Sequence, residues 1–438
     1  MIKVVKFGGS SVADAIQLAK VKAIIEEDPA RKYVVVSAPG KRFSADNKIT
    51  DLLYLCKAHM DHNISYSQVL QVIGDRYKAI ELNLGVNVNM EAEIQKIDED
   101  LRNGASSDYM ASRGEYLMAK LTAAYLGYEF VDTAGLVVFD KKGRFLDEET
   151  NENLKKALEN CERAVLPGFY GSLPDGKIKT FSRGGSDITG SLVARAVGAD
   201  MYENWTDVSG FLMADPRIVE NPKPIEKVTY MELRELSYMG ASVLHEDAVF
   251  PVRENNIPIN IRNTNDPENP GTVIMANVPD ESGDIITGIA GRKDFVSFGI
   301  FKNMMSSEVG FIRRVLSIFE SYDVPIEHIP SGVDTISIVV PLDKVEDHIQ
   351  DIIEEIERKL RVHVQLQEGI AVIATVGRGM SSRPGVSGKL FSALADAKIN
   401  IKMIDQGSSE MNIIVAVDNK DFAEAIRTIY NAFVNTEN

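Results

Sequence analysis

The apolar positions of the chain fall into two rhythms. Short runs rich in β-branched residues read as strands: "VVKF" at 4–7, "YVVVSA" at 33–38, "EFVDTAGLVVF" at 129–139, "RAVLPGFY" at 163–170 and "INIRN" at 259–263. Between them lie segments with helical spacing, among them Ile16 through Val21 to Ile25, 115–126 and 188–198. The alternation predicts an α/β fold with a mostly parallel central sheet and helices on both faces. The turn formers of "NTNDPENPG" at 263–271 interrupt it and put a domain boundary just beyond, near residue 292.

Past that boundary the pattern repeats. Shifted by 75 residues, 295–340 overlays 370–415 without a gap: Gly310 meets Gly385, Ser317 meets Ser392, Ile326 meets Ile401, Ile329 meets Ile404, Gly332 meets Gly407, Ile338 meets Ile413 and Val340 meets Val415. Phe311, Val315 and Phe319 keep helical spacing, and "ISIVV" and "NIIVAV" are β-branched runs. Each copy, about 293–366 and 367–438, therefore reads as an α+β ferredoxin-like βαββαβ unit. Two copies are too few for a solenoid, so a side-by-side pair with a joint sheet is expected.

Composition narrows the classes. The 438 residues, 44% apolar and 26% charged, suit a soluble globular protein of two or three domains. No run approaches the length of a membrane span, and the amino terminus reads as a strand rather than a signal peptide, so the expected location is the cytoplasm. Cys56 and Cys161 are too few for a disulfide framework or a thiolate metal site, and the six histidines lack ligand-like spacing. No protein-held metal is expected. A net charge of −16 argues against a nucleic-acid surface, which needs clustered Lys and Arg.

Two glycine clusters carry the candidate chemistry. In "VVKFGGSS" at 4–11 a strand runs through Lys6 into Gly8, Gly9 and Ser10, whose N–H groups at a helix mouth suit a phosphate. The plainer reading is a tight turn with Ser10 or Ser11 as helix cap. A second cluster, "FSRGGSDITG" at 181–190, opens another helix with Arg183, Gly184, Gly185, Ser186 and Asp187. Two such turns in one α/β domain, each with a cation, suit a ligand with several anionic groups at the carboxyl ends of strands. Asp187 fits a helix cap and an orienter of Lys6 equally well. Glu115, in "SRGE" at 112–115, stands at the start of a helix, where a glutamate ordinarily complements the dipole. Thr206, Asp207 and Arg217, in "NWTDVSGFLMADPR" at 204–217, suit a nucleotide contact or a shaped loop. "GSLPDGKI" at 171–178 resembles a P-loop, but Ile178 stands where a hydroxyl is required, and P-D-G marks a hairpin.

The order of these motifs, with the carboxyl-terminal repeat, resembles the aspartokinases, amino acid kinases with paired ACT regulatory domains. The resemblance implies a three-layer αβα amino acid kinase fold over 1–292 and an ACT pair over 293–438, often with one ACT domain inserted into the other. It implies phosphorylation of the aspartate β-carboxylate by ATP with Mg²⁺, feedback control by an end-product amino acid such as lysine, and a homo-oligomer. Lys6, Gly8, Gly9 and Ser10 match the phosphate-binding element, and Thr206, Asp207 and Arg217 the nucleotide segment. Ser37 and Thr50 match substrate-side hydroxyls, Glu115 the carboxylate for the α-amino group, and Arg183, with Gly184, Gly185 and Ser186, the clamp for the α-carboxylate. Asp187 matches the acidic organiser. Met304, Ser307, Gly310, Phe311, Ile312 and Glu327 match the effector pocket.

Departures from the family pattern also stand out. "GASVLHE" at 240–246 has Ser242 where a lysine is usual and Glu246 for a proline, Leu212 replaces a tyrosine, and "GKRFSADNKITD" at 40–51 is a long loop. Losing a cation beside a triphosphate costs about 1.5–3 kcal/mol unless another compensates. Two rival readings follow: a different amino acid kinase, such as a glutamate or uridylate kinase, and a non-catalytic amino acid sensor on a decayed kinase domain.

Overall fold

The computed structural model describes residues 1–182, 184–241, 250–278 and 285–434. The chain forms two units, one made of Met1–Phe211, Glu226–Tyr230 and the stretch ending at Val278, the other of Leu212–Ile225, a stretch beginning at Met231, and the carboxyl-terminal remainder.

The strands up to residue 278 are β1 (Lys3–Phe7), β2 (Arg31–Val36), β3 (Glu129–Phe130), β4 (Ala164–Pro167), β5 (Tyr170–Ser172), β6 (Ile178–Thr180), β7 (Met201–Thr206), the short β8 (Phe211–Leu212) and β9 (Pro224–Ile225), then β10 (Lys227–Thr229), β11 (Ile259–Asn263) and β12 (Thr272–Met275). The helices are α1 (Ala15–Glu27), α2 (Ile49–Asp61), α3 (Ser67–Leu84), α4 (Met90–Arg102), α5 (Ser107–Leu126), α6 (Asp147–Leu158), α7 (Gly185–Ala196), α8 (Tyr230–Tyr238) and α9 (Phe250–Glu254). In the first unit an eight-stranded sheet runs β10-β12-β11-β7-β1-β2-β4-β3, parallel except for the β11–β12 pair. The expected mostly parallel α/β sheet is what forms.

Strand β1 lies at its centre, with β2 on one side and β7 on the other. The order in which successive strands are added therefore switches from one side to the other at β1, and such a switch point opens a crevice beyond the carboxyl ends of parallel strands. Val5, Phe7, Val34 and Val36 pack with Leu18, Ile25, Leu53, Tyr77, Leu117 and Leu121 into one buried cluster. Each such side chain contributes about 1.5–3 kcal/mol when fully buried.

Several local expectations are corrected. The glycines after β1 open a four-residue 3₁₀ turn, Gly9–Val12, rather than α1. The cap of α1 is Asp14, which accepts from the Gln17 amide, so neither Ser10 nor Ser11 caps it. Ile16, counted in the apolar stripe, is exposed, and Leu18 takes the buried position. Helix α5 begins at Ser107, capped by the Ser106 side chain, so Glu115 sits more than two turns inside it, and its role is not dipole complementation. Only Glu129–Phe130 of the 129–139 run forms a strand, because Gly135, at φ +78°, turns the chain. The P-D-G hairpin forms as read, with β5 antiparallel to β6.

The second unit carries β13 (Gly288–Phe301), β14 (Thr335–Pro341), β15 (His363–Val376), β16 (Met403–Asp405) and β17 (Asn412–Asp418) in one sheet of order β14-β13-β15-β17-β16. Its helices are α10 (Phe311–Ser321), α11 (Ile349–Leu360), α12 (Val386–Asp396) and α13 (Phe422–Val434). The repeat is visible in detail: Gly310 and Gly385 are both left-handed and both precede a helix, and Ile338, Ile413, Val340 and Val415 are all buried. Residue 292 lies inside β13 and residue 366 inside β15, so both strands are shared by the two copies. The amino-terminal half of β13 pairs only with β15, and its other half also pairs with β14. This is the expected joint sheet, with the first copy inserted between strand halves of the second.

Candidate functional site

The site is built at the carboxyl ends of β1, β2 and β7. Lys6 and Asn204 are register partners on β1 and β7, so their side chains leave the same face. Lys6 is 7% exposed, and its ammonium lies 2.6 Å from Asp187 Oδ1. Asp187 stands in the first turn of α7, whose preceding residue Gly184 adopts the left-handed conformation, φ +58°, that glycine favours. Among the described residues Asp187 makes no capping bond; it meets Lys6. The two glycine clusters thus converge on one place.

The first cluster is not arranged quite as expected. The Gly8 amide donates to the Trp205 carbonyl at 2.9 Å, and the Ser11 amide donates to the Gly8 carbonyl at 3.0 Å. The Gly9 and Ser10 amides make no such bond among the described residues, and they head the 3₁₀ turn. They are the N–H groups left for an anion. The helix-dipole argument applies to α7, not to this short turn.

Glu115 reaches the same edge from α5. Gly114 allows it: a Cβ there would fall 2.7 Å from the Ala38 side chain, so only glycine lets α5 approach the loop after β2. Glu115 is buried and accepts from the Ala38 amide. Burial dominates those donors and pushes its pKa up to about 8. One of its oxygens, Oε2, is buried without a hydrogen-bond partner among the described residues. A carboxyl held in this condition has one oxygen free for a further donor. Ser37 closes the loop by donating its amide to the Phe7 carbonyl at 3.1 Å, and Gly40 donates to the Gly9 carbonyl at 2.7 Å. Thr50 lies in the first turn of α2, which starts where the Ile49 amide meets the Pro39 carbonyl.

On the other flank, Ser186 packs against Gly168 so closely that a Cβ at Gly168 would fall 2.6 Å from its hydroxyl. The neighbouring Phe169 has φ +81°, a strained conformation for an aromatic residue, stabilised where the Thr189 hydroxyl accepts from its amide. Thr206 ends β7 and donates to Asp207, which is exposed. Arg183, Ser242 and Glu246 lie outside the described residues. Arg217 and Leu212 fold with the second unit, and Arg217 is solvent-exposed and paired with Asp215.

In the second unit the candidate effector residues are partly gathered. Gly310 opens α10; Phe311 is buried in the core of the first repeat, which leaves only its backbone for a ligand; Met304 and Ile312 are exposed; and the Ser307 hydroxyl donates to the Met304 carbonyl. Glu327 pairs with Arg292 at 3.2 Å rather than standing open to an amino group. A cavity of about 570 Å³ lies instead at the equivalent turn of the second repeat, lined by Met380–Gly388 and Gln406–Ser408.

Asn204 and Arg76 join the site without a sequence motif to mark them. Asn204 lies in the strand "MYENWT" beside an equally buried Glu203, so residue type alone does not single it out. Among the described residues no helix is long and apolar enough to cross a membrane, and no cluster of three or more His, Cys, Asp or Glu gathers to hold a metal.

Comparison with known proteins bears on the whole chain. A model of the amino acid kinase family matches residues 1–263, and a model of an ACT domain matches 373–433. The chain is 39% identical to aspartokinase 3 of Bacillus subtilis, over 99% of this chain and 98% of that protein. It is 52% identical to the solved aspartate kinase of Clostridium acetobutylicum, with a TM-score of 0.92 and 99% of each chain covered. The aspartokinase III of E. coli, solved with aspartate and ADP and also with lysine and aspartate, shares the fold at 24% identity, with TM-scores of 0.74 and 0.75 and 99% of each chain covered.

Proposed function

Because the chain belongs to the amino acid kinase family, among its aspartokinases with a carboxyl-terminal ACT region, we propose that it transfers the γ-phosphoryl group of MgATP to the β-carboxylate of L-aspartate. The product is the acyl phosphate that precedes lysine, threonine and methionine. The observation that carries this reading is the 2.6 Å contact between Lys6 and Asp187, which brings the phosphate-binding turn and the mouth of α7 together.

A carboxylate is already a nucleophile, so the site needs no general base. Its task is to align two mutually repelling anions and to neutralise the charge on the transferring group. Lys6 and the Gly9 and Ser10 amides face the phosphates, and Thr206 and Asp207 face the nucleotide. Mg²⁺ would enter with the nucleotide and would supply neutralisation of the phosphate charge. Glu115 takes the α-ammonium of aspartate. Arg183, Ser186, Ser37 and Thr50 take its carboxylates. Control by an end-product amino acid, with lysine the first candidate, belongs to the repeat region, and the working form is a homo-oligomer.

A hydroxylamine trap tests the reading. Aspartate with MgATP yields the hydroxamate. Hydroxamate from glutamate instead identifies a different amino acid kinase, and none from either identifies a sensor.

A further inference from the structure

We propose that Asn204 is a positioning residue that fixes the direction of the Lys6 ammonium for phosphoryl transfer. The inference rests on the reading of Lys6 as the cation that faces the phosphate.

Asn204 is 4% exposed, and its side-chain amide closes a ring with the two charged groups. Its Nδ2 donates to Asp187 Oδ1 at 2.9 Å; its Oδ1 accepts from Lys6 Nζ at 3.4 Å; and Lys6 Nζ meets the same Asp187 oxygen at 2.6 Å. The orientation of this amide is dictated by chemistry. A carboxylate only accepts and an ammonium only donates, so the NH₂ end must face Asp187 and the carbonyl end Lys6. Turned over, the amide would oppose like with like on both sides.

The ring limits what Lys6 can do. An ammonium has three protons. One is held by Asp187 and one by Asn204, which leaves a single N–H with a defined direction. Without Asn204 the ammonium keeps one anchor and can rotate about it, so that its remaining protons are spread over many directions. Asp187 also loses the second donor to its Oδ1. Neither neighbour on β7 can substitute. Glu203 and Trp205 point to the opposite face, where Trp205 Nε1 and Arg31 both donate to Glu203 Oε2 at 2.9 Å.

Because the contact aligns the ammonium rather than binding substrate, its loss falls on turnover. Misplacing a catalytic group by about 1 Å costs on the order of a hundredfold in rate. In the full chain, Asn204→Leu, of similar shape, lowers kcat about 10–100-fold, while KM for aspartate and for MgATP each change less than threefold and the thermal midpoint stays close to that of the wild type. Asn204→Asp places a second carboxylate against Asp187, one of which must take a proton; its kcat–pH profile acquires an ionisation that the wild type lacks. A purely structural role would move both KM values and the thermal midpoint together and add no ionisation. Wild-type turnover in Asn204→Leu, or a wild-type pH profile in Asn204→Asp, overturns the proposal. The wild-type control separates the two readings: no aspartyl hydroxamate from wild type defeats the kinase assignment, whereas an active wild type with equally active variants defeats only the role of Asn204.

Discussion

A carboxyl group enclosed by protein is comfortable only when protonated or matched by a cation, and in the proposed function Glu115 is matched by the ammonium of the substrate. Its pKa of about 8 means that the folded protein keeps a proton there that an unfolded chain releases near 4.5. Stability from this group is therefore full below 4.5 and lost as pH rises through 8. Glu115→Gln removes that loss. The variant unfolds at a higher temperature than the wild type at pH 8, while aspartate binding collapses. In the wild type, binding of an ammonium requires the ionised form, so kcat/KM for aspartate rises with pH, reaches half its limit near 8 and levels off above it. A flat profile from pH 6 to 9 would contradict the assignment. At this scale the sequence is informative where a residue type is unusual for its place. Lys6 inside an apolar strand and the paired glycines are such cases. It is silent on Asn204, because an asparagine in a strand has no signature until its register partner is known.

Arg76 shows what the elements add. It projects from α3 and donates to the Ala13 and Asn47 carbonyls at 3.0 Å each, and also to the Gly40 carbonyl. One guanidinium thus ties the end of the phosphate turn to both ends of the long 40–51 loop that leads to Thr50. Arg76→Met leaves three carbonyls without a charged donor, a loss of about 1–3 kcal/mol, and raises KM for aspartate about tenfold with a smaller effect on KM for MgATP. Equal changes in the two constants would refute the clasp. In the second unit, fully buried Glu232 accepts from the Thr287 hydroxyl, from the Arg378 amide at 3.0 Å and from the Arg378 guanidinium at 3.1 and 3.2 Å. Arg378→Met takes the guanidinium away from that carboxylate while the Thr287 hydroxyl and the residue-378 amide still donate to it, and destabilises the protein by about 1–3 kcal/mol, measurable by denaturant unfolding. None of these long-range pairings is legible in one sequence. The elements themselves are, where periodicity is strong: β1, β2, β11 and α7 lie close to where the apolar pattern puts them. The pattern misleads at 129–139, where turn geometry overrides β propensity, and at Glu115, where the cap lies at Ser106 beyond the apolar stripe.

At the scale of the whole molecule, the repeat was the most legible feature, because a constant offset of 75 residues survives in the left-handed glycines Gly310 and Gly385 and in paired buried positions. Strand sharing was not legible from the apolar pattern, since Arg292, Lys293 and Asp294 in β13 and Gln367, Glu368 and Gly369 in β15 read as breaks rather than as the middle of a strand. Both copies have glycine-opened helices, and an effector titration tests whether the pair takes an amino acid: lysine, threonine and methionine are each added to the full chain while initial rate is followed, and a regulatory effector shifts the aspartate response with a coupling of about 1–3 kcal/mol, whereas no shift from any of the three contradicts the regulatory reading. The central claim is that a carboxylate oxygen of aspartate becomes bonded to the transferred phosphorus. Aspartate labelled with ¹⁸O in its β-carboxylate, incubated with MgATP and hydroxylamine, tests this directly, because attack at the carbonyl carbon releases phosphate that carries the bridging oxygen. The account predicts one ¹⁸O per phosphate released at full label, in step with hydroxamate; unlabelled phosphate would contradict it.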